Sequence, residues 1–546
     1  GQLLKINLEN GMTEPDFDCS QTRTGHDGFI QNWVNNVWFA NGFCDINSTN
    51  LHTHGLHVSP KKHSDDVFAS TPPGGIEPMR IQVPEYHMAG SFWYHAHRHH
   101  ATSAQAAGGA LGALIVADPA GALPPEVASM IEKTLVVTLI DLRIVAFPQF
   151  GQPGIEWLSL GNLWKNQDGQ YVQVAKDENA IVGLVNGQYK PRMRITSGKW
   201  YRFRWVYAAV ESNLAIIPLF AKNASCEFQL LAKDGIYLNV APRKVSRLFF
   251  ASGNRADVAM RCTCTMGDSC ETRLSSTPCS LSGTAEVDTE CLDLEKSNAL
   301  KEGVMHAESG PLTGVSEPTL SQDLVVLDIE VDSTPQDADL IPFRVNRPCY
   351  LVDLRTVHVP KSNRGRLDFK PPPDWRVTYS AKVLGLGHGQ SMKEMDETPP
   401  LGFLRVGEVR QWLVTGLSMH TFHLHVNPYQ IVSLSQPEDP FFQVGDWQDV
   451  LFHASGRALV RNQLDAFTGK TILHCHLLSH EDMGMMAYFG VHGPEGCWWK
   501  RARLVDPTCY RNYTGAGFHY ERRSAGVGRS PQAPAPMWMQ GDAGES

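Results

Sequence analysis

The sequence has no long apolar run. A membrane-spanning helix needs ~18 or more consecutive apolar residues, and no segment of the 546-residue chain approaches that length. We therefore expect no membrane span. The chain also lacks an initiator methionine and an apolar signal segment, so we expect Gly1 to open a processed or trimmed protein.

Positive charge is scarce. The 48 lysines and arginines are outnumbered by 57 aspartates and glutamates, which gives a net charge of −9. Binding to the phosphates of a nucleic acid depends on clustered basic side chains. Nucleic acid is therefore not an expected partner. Separately, we expect the chain to be a monomer.

Extended helical periodicity is also rare. Apolar residues instead occur in short β-branched or aromatic runs separated by glycine and proline, a pattern typical of all-β sandwiches. Examples are ALIVA (113–117), LVVTLI (135–140), YRFRWVY (201–207) and LVVLDIEV (324–331).

The chain is too long for one domain, because a single core stops growing near about 250–300 residues. The segment DPAGALPP (118–125) predicts a linker after the first domain, and we expect the second domain to end near a segment rich in Cys, Ser and Thr (262–320). The predicted units are domain 1 (1–120), domain 2 with the Cys-rich insertion (121–320), domain 3 (321–500) and a tail (501–546) that we expect to be partly disordered.

Cysteine, by contrast, is plentiful, with 12 in the chain. Five cluster within thirty residues: Cys262, Cys264, Cys270, Cys279 and Cys291. A second metal site, with copper loading through Cys262 and Cys264, is one interpretation. A disulfide-stapled surface loop of a secreted protein is favoured, because no histidine stands nearby and the flanks are rich in Ser and Thr. Sequons at Asn47, Asn223 and Asn512 agree with a secreted glycoprotein.

The string HCHLLSHEDMGM (474–485) carries the strongest chemical signal. It spaces a thiolate, an imidazole and a thioether as Cys475-x4-His480-x4-Met485, and these are the ligands of a blue-copper site with a weak axial methionine. On a strand, alternate side chains point to opposite faces. His474 and His476 would therefore point away from Cys475, and one segment would touch two metal sites.

Three further His-x-His pairs accompany this string. Residues at i and i+2 share one face of a strand, so each pair can offer two imidazoles to one centre. The four pairs are His52/His54, His95/His97, His423/His425 and His474/His476. Two pairs come from domain 1 and two from domain 3, so a common cluster must lie between those domains. His420, at an odd offset from His423, is free to complete the Cys475 site, which makes copper the economical metal for the whole set.

Together these strings resemble the multicopper oxidases, the three-domain laccase-like family. The matching strings are HTHGL (52–56), WYHAH (93–97), HTFHLHVNPYQIV (420–432) and HCHLLSHEDMGMM (474–486), with weaker matches at 184–205 and 251–258. The resemblance implies an all-β fold of three cupredoxin-like Greek-key β-sandwich domains. Two residues depart from the family pattern: Thr53 stands where Trp is frequent and Thr421 where Pro is usual. Neither departure replaces a ligand.

The resemblance also implies four copper ions and a role for each ligand. The implied ligands are His52 and His423 for type 2 copper, His54, His95, His97, His425, His474 and His476 for the two type 3 coppers, and His420, Cys475, His480 and axial Met485 for type 1 copper. Glu481 matches a position credited with proton delivery. Asp65 or Asp66 is the second candidate, and their offset from His52 leaves the choice open.

The implied function is the one-electron oxidation of phenols or similar small reductants, coupled to the four-electron reduction of dioxygen to water. Electrons would enter at the solvent-side edge of His480 and pass through Cys475 to the cluster. The alternative is a metallo-oxidase for Fe(II), Cu(I) or Mn(II). For Met392 and Met395, a cuprous-ion docking loop is one interpretation, and an ordinary surface segment is favoured. A nitrite reductase and a non-enzymatic copper-binding module rank lower, because four complete His-x-His pairs fit neither. For the spare histidines His57, His63, His99 and His100, packing or hydrogen bonding around the ligands is expected.

Overall fold

The structure is a computed structural model. It describes residues 1–13, 47–99, 101–141, 144–146, 156–158, 164–165, 171–172, 181–210, 214–219, 223–265, 267–277, 322–370, 376–380, 387–390, 399–417, 420–434, 441–453, 456–483, 485–507 and 520–522. Its sheets fall into three groups along the chain, which we call the first, second and third domains.

The first domain is built from two small antiparallel sheets. Its elements are β1 (Gln2–Glu9), β2 (His52–His54), β3 (Ile76–Val83), β4 (Gly90–His95), α1 (Thr102–Ala107) and β5 (Leu111–Val116), and α2 (Pro125–Ala128) follows them. Strand β1 pairs with β3, and β4 lies between β2 and β5. Burial alternates along β3, so that Met79, Ile81 and Val83 point into the core, as expected for a strand with one solvated face.

The second domain is a sandwich of an eight-stranded and a five-stranded sheet. Its strands are β6 (Ile131–Asp141), β7 (Ile144–Ala146), β8 (Glu156–Leu158), β9 (Trp164–Lys165), β10 (Tyr171–Val172), β11 (Ile181–Val185), β12 (Gln188–Tyr189), β13 (Arg192–Thr196), β14 (Trp200–Tyr207), β15 (Leu214–Leu219), β16 (Ala224–Lys233), β17 (Ile236–Tyr237), β18 (Arg243–Val245), β19 (Leu248–Phe250), β20 (Arg255–Cys264), β21 (Ser269–Thr277) and β22 (Gln322–Glu330). The larger sheet runs β12-β11-β6-β14-β20-β16-β17, with β18 on β16. The smaller runs β13-β22-β21-β15-β19.

The third domain repeats this plan with a seven-stranded and a five-stranded sheet. Its elements are β23 (Phe343–Val345), β24 (Arg364–Lys370), β25 (Arg376–Ser380), β26 (Gly387–Gln390), β27 (Phe403–Arg405), β28 (Val409–Thr415), β29 (Phe422–Leu424), β30 (Tyr429–Leu434), β31 (Trp447–Gln448), β32 (Val450–Leu451), β33 (Arg457–Gln463), β34 (Gly469–Cys475), α3 (Leu478–Met483), β35 (Met486–His492), α4 (Ala502–Val505) and β36 (Tyr520–Arg522), with short 3-10 turns at Cys349–Leu351 and Lys361–Asn363. The sheets run β26-β25-β24-β28-β33-β30-β31 and β27-β35-β34-β29-β32.

The all-β prediction is confirmed. In the described part of the chain the α-helices are only four to six residues long. None of them is long and apolar enough to cross a membrane.

Strand β22 begins just after the predicted boundary at residue 320. It pairs with β21 and β13 and completes the smaller sheet of the second domain. The Cys-rich segment therefore stands in the chain between two strands of one sheet. In the predicted tail, β36 pairs with β23, and residues 523–546 lie outside the described part.

The second and third domains share one apolar core. Phe249 packs against Phe442 and Phe452, with ring centroids 5.6 and 6.0 Å apart. Offset or edge contacts of this kind contribute beyond simple burial. The domains are therefore fixed against each other by the same kind of packing that stabilises each sandwich.

Disulfides explain the described part of the cysteine cluster. Cys226 and Cys262 are bonded across directly opposed positions of β16 and β20, and Cys264 is bonded to Cys270 across the following hairpin. The favoured disulfide interpretation is confirmed for these residues. The copper-loading alternative is wrong for Cys262 and Cys264, because oxidised sulfur is not a thiolate ligand. Cys279 and Cys291 lie outside the described residues.

Candidate metal centre

Strand pairing places the histidine pairs face to face. In the first domain His52 lies opposite His95 on neighbouring strands β2 and β4. In the third domain His423 lies opposite His474 on β29 and β34. Opposed residues have Cβ atoms about 4.5–5.5 Å apart, so each domain brings its motifs together through the sheet register alone.

The two halves meet as a single cluster of eight imidazoles. The ring of His52 stacks on His425 at a centroid distance of 4.1 Å, and His54 stacks on His423 at 3.9 Å. These contacts pair a first-domain ring with a third-domain ring in each case. The prediction that the cluster lies between the outer domains is confirmed by this geometry.

Ring nitrogens converge at two points within the cluster. Nε2 of His474 lies 3.1 Å from Nε2 of His425 and 3.3 Å from Nε2 of His97. At the second point, Nε2 of His476 lies 3.1 Å from Nδ1 of His54. Each point gathers lone pairs that could bind one metal ion.

The opposite ring nitrogens are tethered to the protein. Nδ1 of His95, His423 and His474 donates to the backbone carbonyls of Ala96, Asp449 and Cys475 respectively. Because each tethered nitrogen carries the proton, Nε2 of these rings is left as an acceptor. Hydrogen bonds of this type orient the imidazoles that bind metals in proteins.

Burial favours the neutral form of most rings in the cluster. It lowers the pKa of seven of the eight rings, and positive charge on neighbouring rings would add to the effect: these are His54, His95, His97, His423, His425, His474 and His476. Neutral imidazole is the form that binds metal.

Three buried Nε2 atoms in the cluster lack a hydrogen-bond partner among the described residues. They are Nε2 of His52, His95 and His423. A buried unsatisfied polar atom costs about 1–3 kcal/mol, so several in one place require an explanation. A set of metal ions bound by imidazole satisfies all three, and imidazole donors beside a thiolate fit copper.

The thiolate centre lies on the far side of β34. Sγ of Cys475 is 3.7 Å from Nδ1 of His420 and 3.6 Å from Nδ1 of His480, and the two Nδ1 atoms are 3.2 Å apart. Met485 is fully buried and its carbonyl accepts a hydrogen bond of 3.0 Å from the Cys475 amide. The opposite facing of Cys475 and its histidine neighbours is confirmed.

His480 is buried, with 4% of its surface exposed. Electron entry at the solvent-side edge of this ring stays a prediction.

Glu481 reaches the histidine cluster from α3. Its Oε1 lies 3.2 Å from Nδ1 of His97 and accepts a hydrogen bond of 3.1 Å from Oγ1 of Thr102 on α1, and its Oε2 lies 3.1 Å from Nδ1 of His474. The carboxyl group is fully buried, and burial raises its pKa above the ordinary value. Glu481 is therefore a buried carboxyl group at the cluster and not a solvated carboxylate of a surface loop.

Of the two aspartates left open by the sequence, Asp65 reaches the cluster. Its Oδ2 lies 2.9 Å from Nδ1 of His52, and its Oδ1 accepts from the Thr53 amide at 2.8 Å. Asp66 instead accepts from the Phe68 amide within a turn. Thr53 and Thr421, the departures from the family pattern, are buried beside the ligands and displace none of them.

The spare histidines take different positions. His57 is buried, and its Nδ1 donates to the Val426 carbonyl one residue beyond His425. His63 lies at the surface beside Glu77, and His99 is buried. His100, Met392 and Met395 lie outside the described residues.

Sequence reasoning missed Asp449, which lies between β31 and β32 of the third domain. Its Oδ1 is 3.3 Å from Nε2 of His54, and its carbonyl oxygen accepts from Nδ1 of His423 at 2.8 Å. The residue stands in QDVLF, a segment with no spacing relation to any histidine motif. No signal in a single sequence identifies it.

Comparison with known proteins agrees with this site. Residues 356–494 and 34–121 match multicopper oxidase profiles. The chain is similar to a laccase of Haloferax volcanii, at 29% identity over 119 residues, which are 21% of this chain and 20% of that protein. It is also similar to a bilirubin oxidase of Albifimbria verrucaria, at 23% identity over 484 residues, which are 86% of this chain and 72% of that enzyme. The matched part thus spans only a fifth of the laccase.

Solved structures support the fold. The chain aligns with a multicopper oxidase from Campylobacter jejuni, described as a metallo-oxidase, with a TM-score of 0.54 and 17% identity over 90% of this chain and 83% of that one. At this identity the likeness concerns the fold, and it agrees with the prediction of cupredoxin-like sandwiches.

Proposed function

The chain belongs to the multicopper oxidase family, and from this premise we propose that it is a laccase-like oxidase. It couples the one-electron oxidation of phenols or similar small reductants to the four-electron reduction of dioxygen to water. One observation carries the proposal. Cys475 lies within 3.7 Å of both imidazoles of one centre, while its neighbours His474 and His476 project into the eight-imidazole cluster.

The donor set suits four copper ions. His420, Cys475, His480 and Met485 would hold the type 1 ion, His52 and His423 the type 2 ion, and His54, His95, His97, His425, His474 and His476 the two type 3 ions. Bound in this way, copper exchanges single electrons at the sulfur site and several electrons at the cluster. The protein's own groups must connect the two centres for electron transfer and must supply protons at the cluster.

Cys475 has the first of these roles. It occupies the single position between His474 and His476, so a few covalent bonds join the sulfur to the cluster. The hydrogen bonds that fix both flanking segments are buried: the Cys475 amide donates to the Met485 carbonyl at 3.0 Å, and the His476 amide donates to the Thr421 carbonyl at 2.6 Å. The peptide connection between the two centres is therefore rigid.

Glu481 and Asp65 have the second role, which is to hold protons where oxygen atoms would be released as water. Oε1 of Glu481 accepts from Thr102, whereas its Oε2 lies 3.1 Å from Nδ1 of His474, whose proton goes to the Cys475 carbonyl, and accepts no hydrogen bond among the described residues. Oε2 is therefore the atom on which a proton can be carried. Asp65 lies against His52 on the other side and is the second such group.

The second candidate function is metal-ion oxidation. The Campylobacter jejuni enzyme is described as a metallo-oxidase, and a small aqueous ion needs little open surface near His480, which is 4% exposed. The bilirubin oxidase similarity instead favours an organic reductant. Because all eight cluster histidines are in place, a purely copper-binding role is ranked below both.

We also propose that the protein is secreted, glycosylated and monomeric. The disulfides Cys226–Cys262 and Cys264–Cys270 support secretion, because such bonds form and persist in oxidising compartments. Asn223 is exposed at the turn before β16, where a glycan would meet solvent.

An oxygen electrode tests the function. Copper-loaded protein should consume oxygen with a methoxyphenol and release water, so that four equivalents of phenol are oxidised for each dioxygen. Fe(II), Cu(I) and Mn(II) run in parallel decide between the two candidates by relative kcat/KM. Stoichiometric hydrogen peroxide, or no oxygen uptake with any reductant by fully loaded protein, would contradict the proposal.

A further inference from the structure

Arg255, the first residue of β20, joins all three domains at one point. Its guanidinium group donates two parallel hydrogen bonds to Asp449 of the third domain, at 2.7 Å to Oδ1 and 2.6 Å to Oδ2. Its Nε donates to the Ser91 carbonyl of the first domain at 3.2 Å. A Cβ atom at Gly55 would lie 2.1 Å from Nη2, so this first-domain residue must be glycine for the guanidinium group to fit.

Asp449 in turn orients two imidazoles. Its carboxylate, fixed by Arg255, faces Nε2 of His54 across 3.3 Å, and this leaves Nδ1 of that ring towards His476. Its backbone carbonyl oxygen accepts a hydrogen bond from Nδ1 of His423 at 2.8 Å. The ring of His54 is therefore tethered through Nε2, whereas the ring of His423 is tethered through Nδ1.

Ser252 and Gly253 constrain a third imidazole, that of His476. Oγ of Ser252 donates to the Ala209 carbonyl and lies 3.3 Å from Nδ1 of His476, whose N–H it can accept. Gly253 has φ of +91°, and a Cβ atom there would lie 2.9 Å from two ring atoms of His476. The ring therefore rests directly on the backbone of the second domain.

We propose that the turn 252–255 of the second domain, which supplies none of the predicted ligands, is a positioning element for the metal cluster. Arg255 acts through Asp449 on His54 and His423, and Ser252 and Gly253 act on His476. The proposal rests on the proposed function, since it concerns the same cluster. It adds that the geometry of three predicted ligands depends on a domain that supplies none of the predicted ligands.

The test is the substitution Arg255→Lys, which keeps the positive charge and removes the two-pronged hydrogen bonding. Copper affinity is measured by competition with a chelator, and the type 2 copper is followed by electron paramagnetic resonance (EPR). We expect the affinity of the cluster to fall roughly 10- to 100-fold, the range typical when a group orienting a ligand is removed. The EPR signal of the type 2 ion should also change, and the blue absorption of the type 1 site should be kept.

Arg243→Lys is the matched control. Arg243 also belongs to the second domain and also makes paired hydrogen bonds to a third-domain aspartate, Asp446, at 2.8 and 2.6 Å. Asp446 makes no hydrogen bond to a predicted ligand among the described residues. A general weakening of domain contacts would lower the melting temperature of both variants alike, whereas only Arg255→Lys should alter copper affinity and the EPR signal.

Ser252→Ala supplies an independent variant that removes a single oxygen atom, and it carries the test if Arg255→Lys does not fold. Wild-type copper affinity and EPR signal in every folded variant of the turn would overturn the proposal, as would equal changes in Arg243→Lys. These outcomes differ from failure of the proposed function, in which the wild-type protein itself binds no copper at the cluster.

Discussion

His57 of the first domain donates a hydrogen bond of 2.9 Å from Nδ1 to the carbonyl oxygen of Val426 in the third domain. Val426 has φ of +68°, a conformation in which a β-branched side chain is strained. It follows His425 directly. A histidine from one domain therefore stabilises a strained turn beside a predicted ligand in another.

The substitution His57→Ala should lower the free energy of unfolding by about 1–3 kcal/mol, the cost of leaving a buried carbonyl without its donor. Urea denaturation of the apo-protein measures the change. His63→Asn is the control, because His63 is exposed and adopts φ of +67°, which asparagine tolerates. A surface change of this kind should stay within about 0.5 kcal/mol. Equal effects of the two substitutions would contradict the proposed contact.

The same residue makes stability sensitive to acid. Burial lowers the pKa of His57 to about 3, whereas in the unfolded chain it titrates near the ordinary value of about 6.5. Between these values the unfolded state binds a proton that the folded state does not, so this contribution to stability falls as the pH decreases from about 6.5 towards 3. In His57→Gln, the slope of unfolding free energy against pH should be smaller by about 1.4 kcal/mol per pH unit. Parallel slopes in the two proteins between pH 4 and 6 would show that His57 is not buried in the neutral form.

The blue absorption tests the thiolate centre. Copper-loaded protein should absorb strongly near ~600 nm through charge transfer from sulfur to copper, and Cys475→Ser should abolish the band. Cys497→Ser is the matched control, since Cys497 is the other free cysteine of the described residues and is half-buried away from both centres. A band that survives in Cys475→Ser, or disappears in Cys497→Ser, would assign the colour to another site.

Proton delivery is tested by Glu481→Gln. Glutamine has the same shape and can keep the contact with Thr102, but it cannot pass on a proton. Oxygen uptake should fall roughly 10²-fold or more, as expected for loss of a general acid, while the blue absorption persists. Glu495→Gln is the control, because its side chain is 50% exposed and paired with Lys61. Unchanged oxygen uptake in Glu481→Gln would leave Asp65 as the remaining candidate.

Motif spacing was sufficient to predict which of the candidate ligand side chains share a face of a strand. Strand alternation put Cys475 on one face of β34 and His474 and His476 on the other, because a two-residue period depends only on the strand being extended. The same local rule placed His420 with the thiolate. These predictions needed no knowledge of how distant segments pack.

The side-chain contacts that support the cluster from other domains were beyond reach of the same reasoning. Arg255 and Asp449 are 194 residues apart, and neither stands at a fixed spacing from a histidine motif. The choice of Asp65 over Asp66 depended on loop conformation, and the pairing of β22 with β21 depended on a connection that crosses the Cys-rich segment. In each case the deciding interaction is non-local, and periodicity carries no record of it.

The two disulfides in the described part of the second domain should differ in their effect on stability. Cross-linking restricts the unfolded chain, and the restriction grows with the length of the closed loop. Cys226 and Cys262 are 36 residues apart, whereas Cys264 and Cys270 are 6 apart. Replacing the first pair by alanine should therefore cost about 4 kcal/mol and the second about 2 kcal/mol, as measured by urea denaturation. The first bond also joins directly opposed residues of β16 and β20, and β20 begins at Arg255. If β20 transmits disorder to the turn 252–255, loss of the Cys226–Cys262 bond should also weaken copper binding, whereas loss of the Cys264–Cys270 bond should not. Chelator competition on both double variants measures the copper affinity. Unchanged affinity in both would show that the effect is confined to stability and does not reach the cluster.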